Sequence, residues 1–206
     1  LPAEEPPADQ VEHPALPPTP GADELPLVAE GAWNAHQAHH LLAIRDLQRR
    51  HHGFTEFVPL PFVAGEAPMY LRGRARRGPT FREAVLLHAV ARIALYPDVP
   101  SIQASWVKMG AEGVAACLHA GANDVGGTLM NESITRAAGA EHGQEFPPAA
   151  LEQLIRDAGR SPWQRTTLYE AAPRERHDAA MRAAPLEDYV NTPVRRAAAG
   201  AKKGGV

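Results

Sequence analysis

The chain has a single cysteine, Cys117, in 206 residues. That excludes an internal disulfide and any site made from several thiolates of this chain. Cys117 falls between Ala116 and Leu118 in an apolar helical pattern, so it reads as a buried, inert thiol. Long apolar runs are also missing. None approaches the roughly 20 residues that cross a bilayer, and the N-terminus has no basic start followed by an apolar core, so it is not a secretory signal. A soluble, cytoplasmic protein with no membrane partner is expected. Charge of one sign is missing too: the net charge is −3, which excludes general polyanion binding by the molecule as a whole.

Proline, by contrast, is plentiful and unevenly spread. Eight of 20 prolines lie in residues 1–32, among scattered Glu and Asp and few large apolar residues. Such a stretch buries too little surface to offset its ordering entropy. Residues 1–32 are expected to be a disordered tail, 33–173 an ordered core, and 174–206 a flexible, basic tail.

Within 33–173, helical and strand patterns alternate. A helix is predicted over 34–50, with Leu41, Ile44 and Leu47 on one side and Gly53 after it. Residues 54–60 read as a strand closed by prolines, and 61–79 as a long loop. Thr80 and Glu83 form a capping box ahead of a helix whose apolar face is Leu86, Leu87, Val90, Ile93 and Ala94, stopped by Pro97. A strand at 101–106 precedes a helix over 111–120 that buries Val114, Cys117 and Leu118. A third strand covers 123–126. Pro147 and Pro148 open a helix with Leu151, Leu154, Ile155 and Ala158 inward, and 165–169 is a final strand candidate. Strand, loop and helix in repeated order imply an α/β fold with a parallel sheet. A complete eight-unit barrel needs about 200 residues, so three or four units imply part of a (β/α) TIM-type barrel, with open strand edges that need a partner.

Polar residues concentrate at strand ends, where such folds place their chemistry. Glu56, Gln103, Ser105 and Lys108 lie in or just beyond two strands. The third strand feeds Gly126-Gly127-Thr128-Leu129-Met130-Asn131-Glu132-Ser133, in which two glycines permit close backbone approach and Thr128, Asn131, Glu132 and Ser133 offer donors and acceptors. These groups are expected to converge on a ligand pocket. His142, on the following loop, reads either as an acid/base or as a loop hydrogen-bonder. The run Arg72, Arg74, Arg76, Arg77 suits an anion or a solvated loop. With Tyr70 alone near it, nucleic acid is not favoured. His36, His39 and His40 have helical spacing but no acidic residue in register, so no metal site is expected.

Several separated segments, taken together, resemble a known family. Residues 54–62 (FTEFVPLPF), 73–80 (GRARRGPT), 103–109 (QASWVKM) and 122–133 (ANDVGGTLMNES), extended by 138–144 and 165–169, are similar to the C-terminal part of FO synthase. The similarity is to its tyrosine-using, CofH-type half, the 5-amino-6-(D-ribitylamino)uracil–L-tyrosine 4-hydroxyphenyl transferases, and covers about 33–170. The resemblance implies the last three βα units, plus a C-terminal strand, of a radical S-adenosylmethionine barrel. In that family a 4Fe-4S cluster, held by a Cys-x3-Cys-x2-Cys loop, cleaves S-adenosylmethionine, and the aryl fragment of tyrosine joins the ribityl-uracil. This chain has no such loop and is expected to hold neither cofactor by itself. Similarity stops upstream of Trp33, so a truncated product, or one piece of a split enzyme with the N-terminal barrel portion as a separate chain, is expected. A histidine is expected where Ala64 stands. By position, Glu56, Ser105, Lys108, Thr128, Asn131, Glu132 and His142 are assigned to the substrate side, with no catalytic residue. Two other classes of reading stay open: an inactive barrel fragment that serves as a binding module, and a nucleic-acid binder acting through residues 72–77 and the basic C-terminus.

Overall fold

A computed structural model describes residues 32–129, 133–140 and 142–186. Among them lie seven helices and three short strands: α1 (Ala32–His51), β1 (Glu56–Phe57), α2 (Pro68–Leu71), α3 (Phe81–Leu95), β2 (Ser101–Ala104), α4 (Trp106–His119), β3 (Asp124–Val125), α5 (Ile134–Ala137), α6 (Pro148–Asp157) and α7 (Arg174–Arg182). The strands form one parallel sheet in the order β1-β2-β3. This is an α/β fold with helical crossovers, as the repeated pattern requires.

Register decides what the sheet presents. Glu56 lies opposite Ser101 and Phe57 opposite Ile102, while Gln103 lies opposite Asp124 and Ala104 opposite Val125. Side chains alternate along a strand, and paired residues share a face. One face therefore carries Glu56, Ser101, Gln103 and Asp124. The other carries Phe57, Ile102, Ala104 and Val125, and the helices bury it. Ile102 joins Leu41, Ala91, Leu95 and Val99 in one apolar cluster, and Ala104 joins Trp106, Val114, Cys117 and Leu118 in the other.

α3 begins on the expected capping box. Thr80 Oγ1 accepts from the Glu83 amide at 3.2 Å, and the Thr80 amide donates to Glu83 Oε2 at 2.6 Å. Its buried side differs from the expectation. Ala84, His88, Ala91 and Leu95 face inward, whereas Leu86, Val90 and Ile93 are exposed, Ile93 by 81%. The row 84-88-91-95 carries two alanines, which let the helix lie close to the sheet between α1 and α4. Bulk alone misleads here, since the tighter seat takes the smaller residues. At the other end of α1, buried Gln48 ties three segments together. Its Nε2 donates to the carbonyls of Phe54 (2.9 Å) and Asp98 (3.0 Å), and its Oε1 accepts from the Phe54 amide at 2.8 Å.

Three further expectations are corrected. The predicted strand over 54–60 shrinks to Glu56–Phe57, because Pro59 and Pro61 offer no amide to a ladder. Residues 165–169 do not join the sheet: Arg165 makes a single antiparallel bridge to Ala171, and the small hairpin is closed by Thr166 N to Glu170 O at 2.8 Å. The region after 173 is not a loose tail throughout. Pro173 and Glu175 at one end and Arg182 at the other supply ordinary helix-end chemistry for α7, which packs on α6. Leu186 N then bonds Glu145 Oε2 at 2.8 Å. No helix among the described residues is long and apolar enough to cross a membrane.

Candidate functional site

The polar face of the sheet is densely hydrogen-bonded. Gln103, on the central strand, donates from Nε2 to Glu56 Oε2 at 3.1 Å and to Asp124 Oδ2 at 2.8 Å, so one amide spans the carboxylates of both neighbouring strands. Two carboxylates this close need a cation. The hairpin after α6 supplies it. Arg165 grips Asp124 with a two-pronged pair, Nε to Oδ1 at 3.0 Å and Nη2 to Oδ2 at 2.5 Å, and Nη2 also lies 2.8 Å from Glu56 Oε2. Such forks add geometry as well as energy. Tyr169 completes the cluster: its hydroxyl donates to Glu56 Oε2 at 2.5 Å, and its ring lies 4.1 Å under the Arg165 guanidinium.

Electrostatics follow the geometry. The Asp124 hydrogen bond, ahead of any other cause, holds the Arg165 guanidinium further up. Burial, then the bond to Glu56, pushes the Tyr169 phenol up to about 12, so it stays a donor at neutral pH. With two carboxylates and one guanidinium the cluster carries a formal charge of −1. It borders a cleft of about 630 Å³ that runs along β3 between the 126–128 loop, α6, α7 and the segment with Trp163. Across it His177 Nε2 and Glu152 Oε1 meet at 2.8 Å. That bond is the largest reason the histidine lies above, and the glutamate below, its ordinary value.

The sequence-predicted residues divide. Glu56 sits in the cluster and Thr128 lines the cleft. Ser105 is buried at the end of β2, where its carbonyl starts the first turn of α4 by accepting from Lys108 and Met109 at 3.2 and 2.9 Å; Lys108 is half-buried there. Neither lines this cleft. α4 breaks at Gly110, whose φ of 66° suits glycine. A Cβ there would come within 2.8 Å of His142 Nδ1, so the exposed His142 ring rests on that glycine. Asn131 and Glu132 lie outside the described residues. The Gly126-Gly127 turn is fastened from below by buried Trp106, whose indole Nε1 donates to Gly127 O at 2.8 Å while its ring meets Phe146 edge-on at 5.8 Å. Asp124, Arg165 and Tyr169 escaped the sequence reading. The period-two alternation of β2 and β3 does signal the first. Nothing local signals the other two, which act across more than 100 residues of chain.

A second cavity, of about 570 Å³, lies between α1, the segment after β1 and the arginine loop, with Arg74 and Arg76 in its wall. Arg76 also lies 3.5 Å from Glu83. Ala64 is buried, and its carbonyl closes a turn by accepting from Ala67 N at 2.9 Å.

The residues present do not fit an iron–sulfur cluster. The chain's one cysteine is fully buried in α4, and burial pushes its thiol up to about 11, the reverse of what a thiolate ligand needs. Among the described residues no three His, Cys, Asp or Glu side chains are grouped to hold a metal.

The chain is thus an α/β protein whose parallel sheet carries one charged, hydrogen-bonded face, with a polar segment following its last strand. Its membership is specific. Residues 51–178 match the family described as the CofH/MqnC C-terminal region, and the chain belongs to that family. It is 53% identical over 131 residues to the 5-amino-6-(D-ribitylamino)uracil–L-tyrosine 4-hydroxyphenyl transferase of Methanopyrus kandleri, covering 64% of this chain and 36% of the relative. It is 50% identical over 145 residues to the FO synthase of Streptomyces coelicolor, with 70% and 17% covered, and 52% identical over 134 residues to that of Mycobacterium leprae, with 65% and 16% covered. The chain thus spans about a third of the transferase and a sixth of the FO synthases.

Proposed function

We propose that this chain is the C-terminal portion of an FO-synthase-type enzyme, and that it forms one wall of the cavity where the hydroxybenzyl group of L-tyrosine is joined to 5-amino-6-(D-ribitylamino)uracil. The observation that carries the reading is the polar sheet face. Glu56, Gln103 and Asp124 come from three adjacent parallel strands and point to one side, as inward residues of a (β/α) barrel do. β1 and β3 each pair on one side among the described residues, which fits an arc formed by the last three barrel strands. The remaining strands come from an upstream portion, within the same polypeptide or as a separate chain. That portion also holds the 4Fe-4S cluster and S-adenosylmethionine, which together supply the radical. Here the residues bind and orient: Glu56 and Thr128 from the sheet side, Lys108 and His142 from either side of Gly110, and Asn131 and Glu132 from the segment after β3, while buried Ser105 shapes the turn into α4.

The reading is tested by exchange. In the Streptomyces coelicolor FO synthase, the 145-residue segment that matches this chain is replaced by the matching residues of this chain, and FO is measured by fluorescence after cluster reconstitution. FO formation is expected. A folded, cluster-loaded chimaera that makes no FO overturns the proposal.

A further inference from the structure

We propose that Arg165 and Tyr169 are positioning residues for Glu56, fixing its Oε2 and leaving Oε1 as the acceptor for an N–H or O–H of the substrate. The inference rests on the barrel reading above and adds the residues that aim its carboxylate. Three donors converge on Oε2, namely Gln103 Nε2, Arg165 Nη2 and the Tyr169 hydroxyl, at 3.1, 2.8 and 2.5 Å. Among the described residues Oε1 accepts no hydrogen bond. The Glu56 side chain is about a third exposed, so the carboxylate is not sealed from solvent.

Arg165 is not itself an anion-binding group, because its nitrogens are committed. Nε and Nη2 go to Asp124, Nη2 also to Glu56, and Nη1 to the Thr166 carbonyl at 3.1 Å. Asp124 is likewise spent, since both its oxygens accept from Arg165 or Gln103. Glu56 Oε1 and the Gln103 amide oxygen are thus the acceptors left without a donor among the described residues, and in a cluster of formal charge −1 the carboxylate oxygen is the one that favours a cationic or polarised donor. Both proposed substrates carry such donors, the ammonium of tyrosine and the amines and hydroxyls of the ribityl-uracil.

The test uses the full chain, with L-tyrosine and 5-amino-6-(D-ribitylamino)uracil titrated separately by calorimetry, so that the two arms show which donor Glu56 meets. One of them is expected to bind, with Glu56→Gln and Arg165→Met each weakening it by about tenfold or more and Tyr169→Phe by a few-fold. Tyr169→Phe removes one hydroxyl and keeps the ring, so it serves if Arg165→Met does not fold. Added methylguanidinium is expected to restore binding to Arg165→Ala, which a general packing defect would not allow. Independently of any ligand, Glu56→Gln is expected to move the Tyr169 phenolate absorbance to lower pH. The proposal is overturned if the wild-type chain binds neither compound, if folded Arg165 and Tyr169 variants bind as the wild type does, or if the phenolate titration does not move. Unaffected binding alongside an active chimaera removes this inference and leaves the functional reading intact. A folded, cluster-loaded but inactive chimaera removes the functional reading and this inference with it, whatever the variants bind.

Discussion

Gln103 sits between two carboxylates and a guanidinium, and its amide donates to both acids at once. An apolar side chain there leaves Glu56 and Asp124 facing each other with one fewer donor. Gln103→Leu is expected to cost about 1–3 kcal/mol, measured by urea unfolding; a loss under about 0.5 kcal/mol shows that Arg165 satisfies both acids unaided. The His177–Glu152 pair makes a pH-dependent counterpart on the far side of the cleft, with Arg156 and Asp178 as charged neighbours. The histidine's value is raised, so its contribution is full below about 6.5 and is lost as pH rises through the folded value. The glutamate's is lowered, so its contribution is full above about 4.5 and is lost as pH falls. Docking of α7 on α6 is therefore expected to be firmest between those limits. Protection factors in α7, corrected for the intrinsic pH dependence of exchange, that are no lower at pH 8 than at pH 5.5 contradict this.

Helices show how local chemistry and packing divide the work. The capping box of α3 depends on residues three apart, and Thr80→Ala is expected to cost about 1 kcal/mol, visible as a lower Tm. The buried side of that helix depends on its neighbours, which is why Ile93 lies outside while Ala91 is sealed. Ile93→Lys is thus expected to change stability by no more than about 0.5 kcal/mol, whereas Ala91→Leu overpacks the seat against α1 and the sheet and costs about 1–3 kcal/mol. Equal losses at the two sites refute the seating described. α7 makes the same point in reverse: its end residues carry helix signals, yet nothing local announces that His177 meets Glu152 of α6.

Among the described residues the sheet pairs on one side only at β1 and at β3, and its charged face is bonded by a hairpin 109 residues beyond Glu56 and 41 beyond Asp124. Its one thiol is buried and resists ionisation, so iron and sulfide reconstitution of the purified chain is expected to give no stable 4Fe-4S absorption. Such an absorption, lost on chelation, refutes the view that the cluster belongs to another portion. The exchange with a relative's matching segment and the Arg165 series act at this scale as well, since each asks whether distant parts of the chain meet in one cavity.

Motifs of fixed short spacing could be read without a structure: the Thr80–Glu83 box, the prolines that open α6, the strand-helix alternation that dictates parallel pairing, and Glu56 and Thr128 at strand ends. These depend on backbone hydrogen bonding and conformational preference within a few residues. The tertiary structure decided the rest: which side of α3 is buried, that residues 165–169 bridge to 171 instead of joining the sheet, and that Arg165 and Tyr169 come to rest on Glu56 and Asp124. Those outcomes depend on the room left by neighbouring helices and on charge neutralisation between residues far apart in the chain, and no local pattern encodes either.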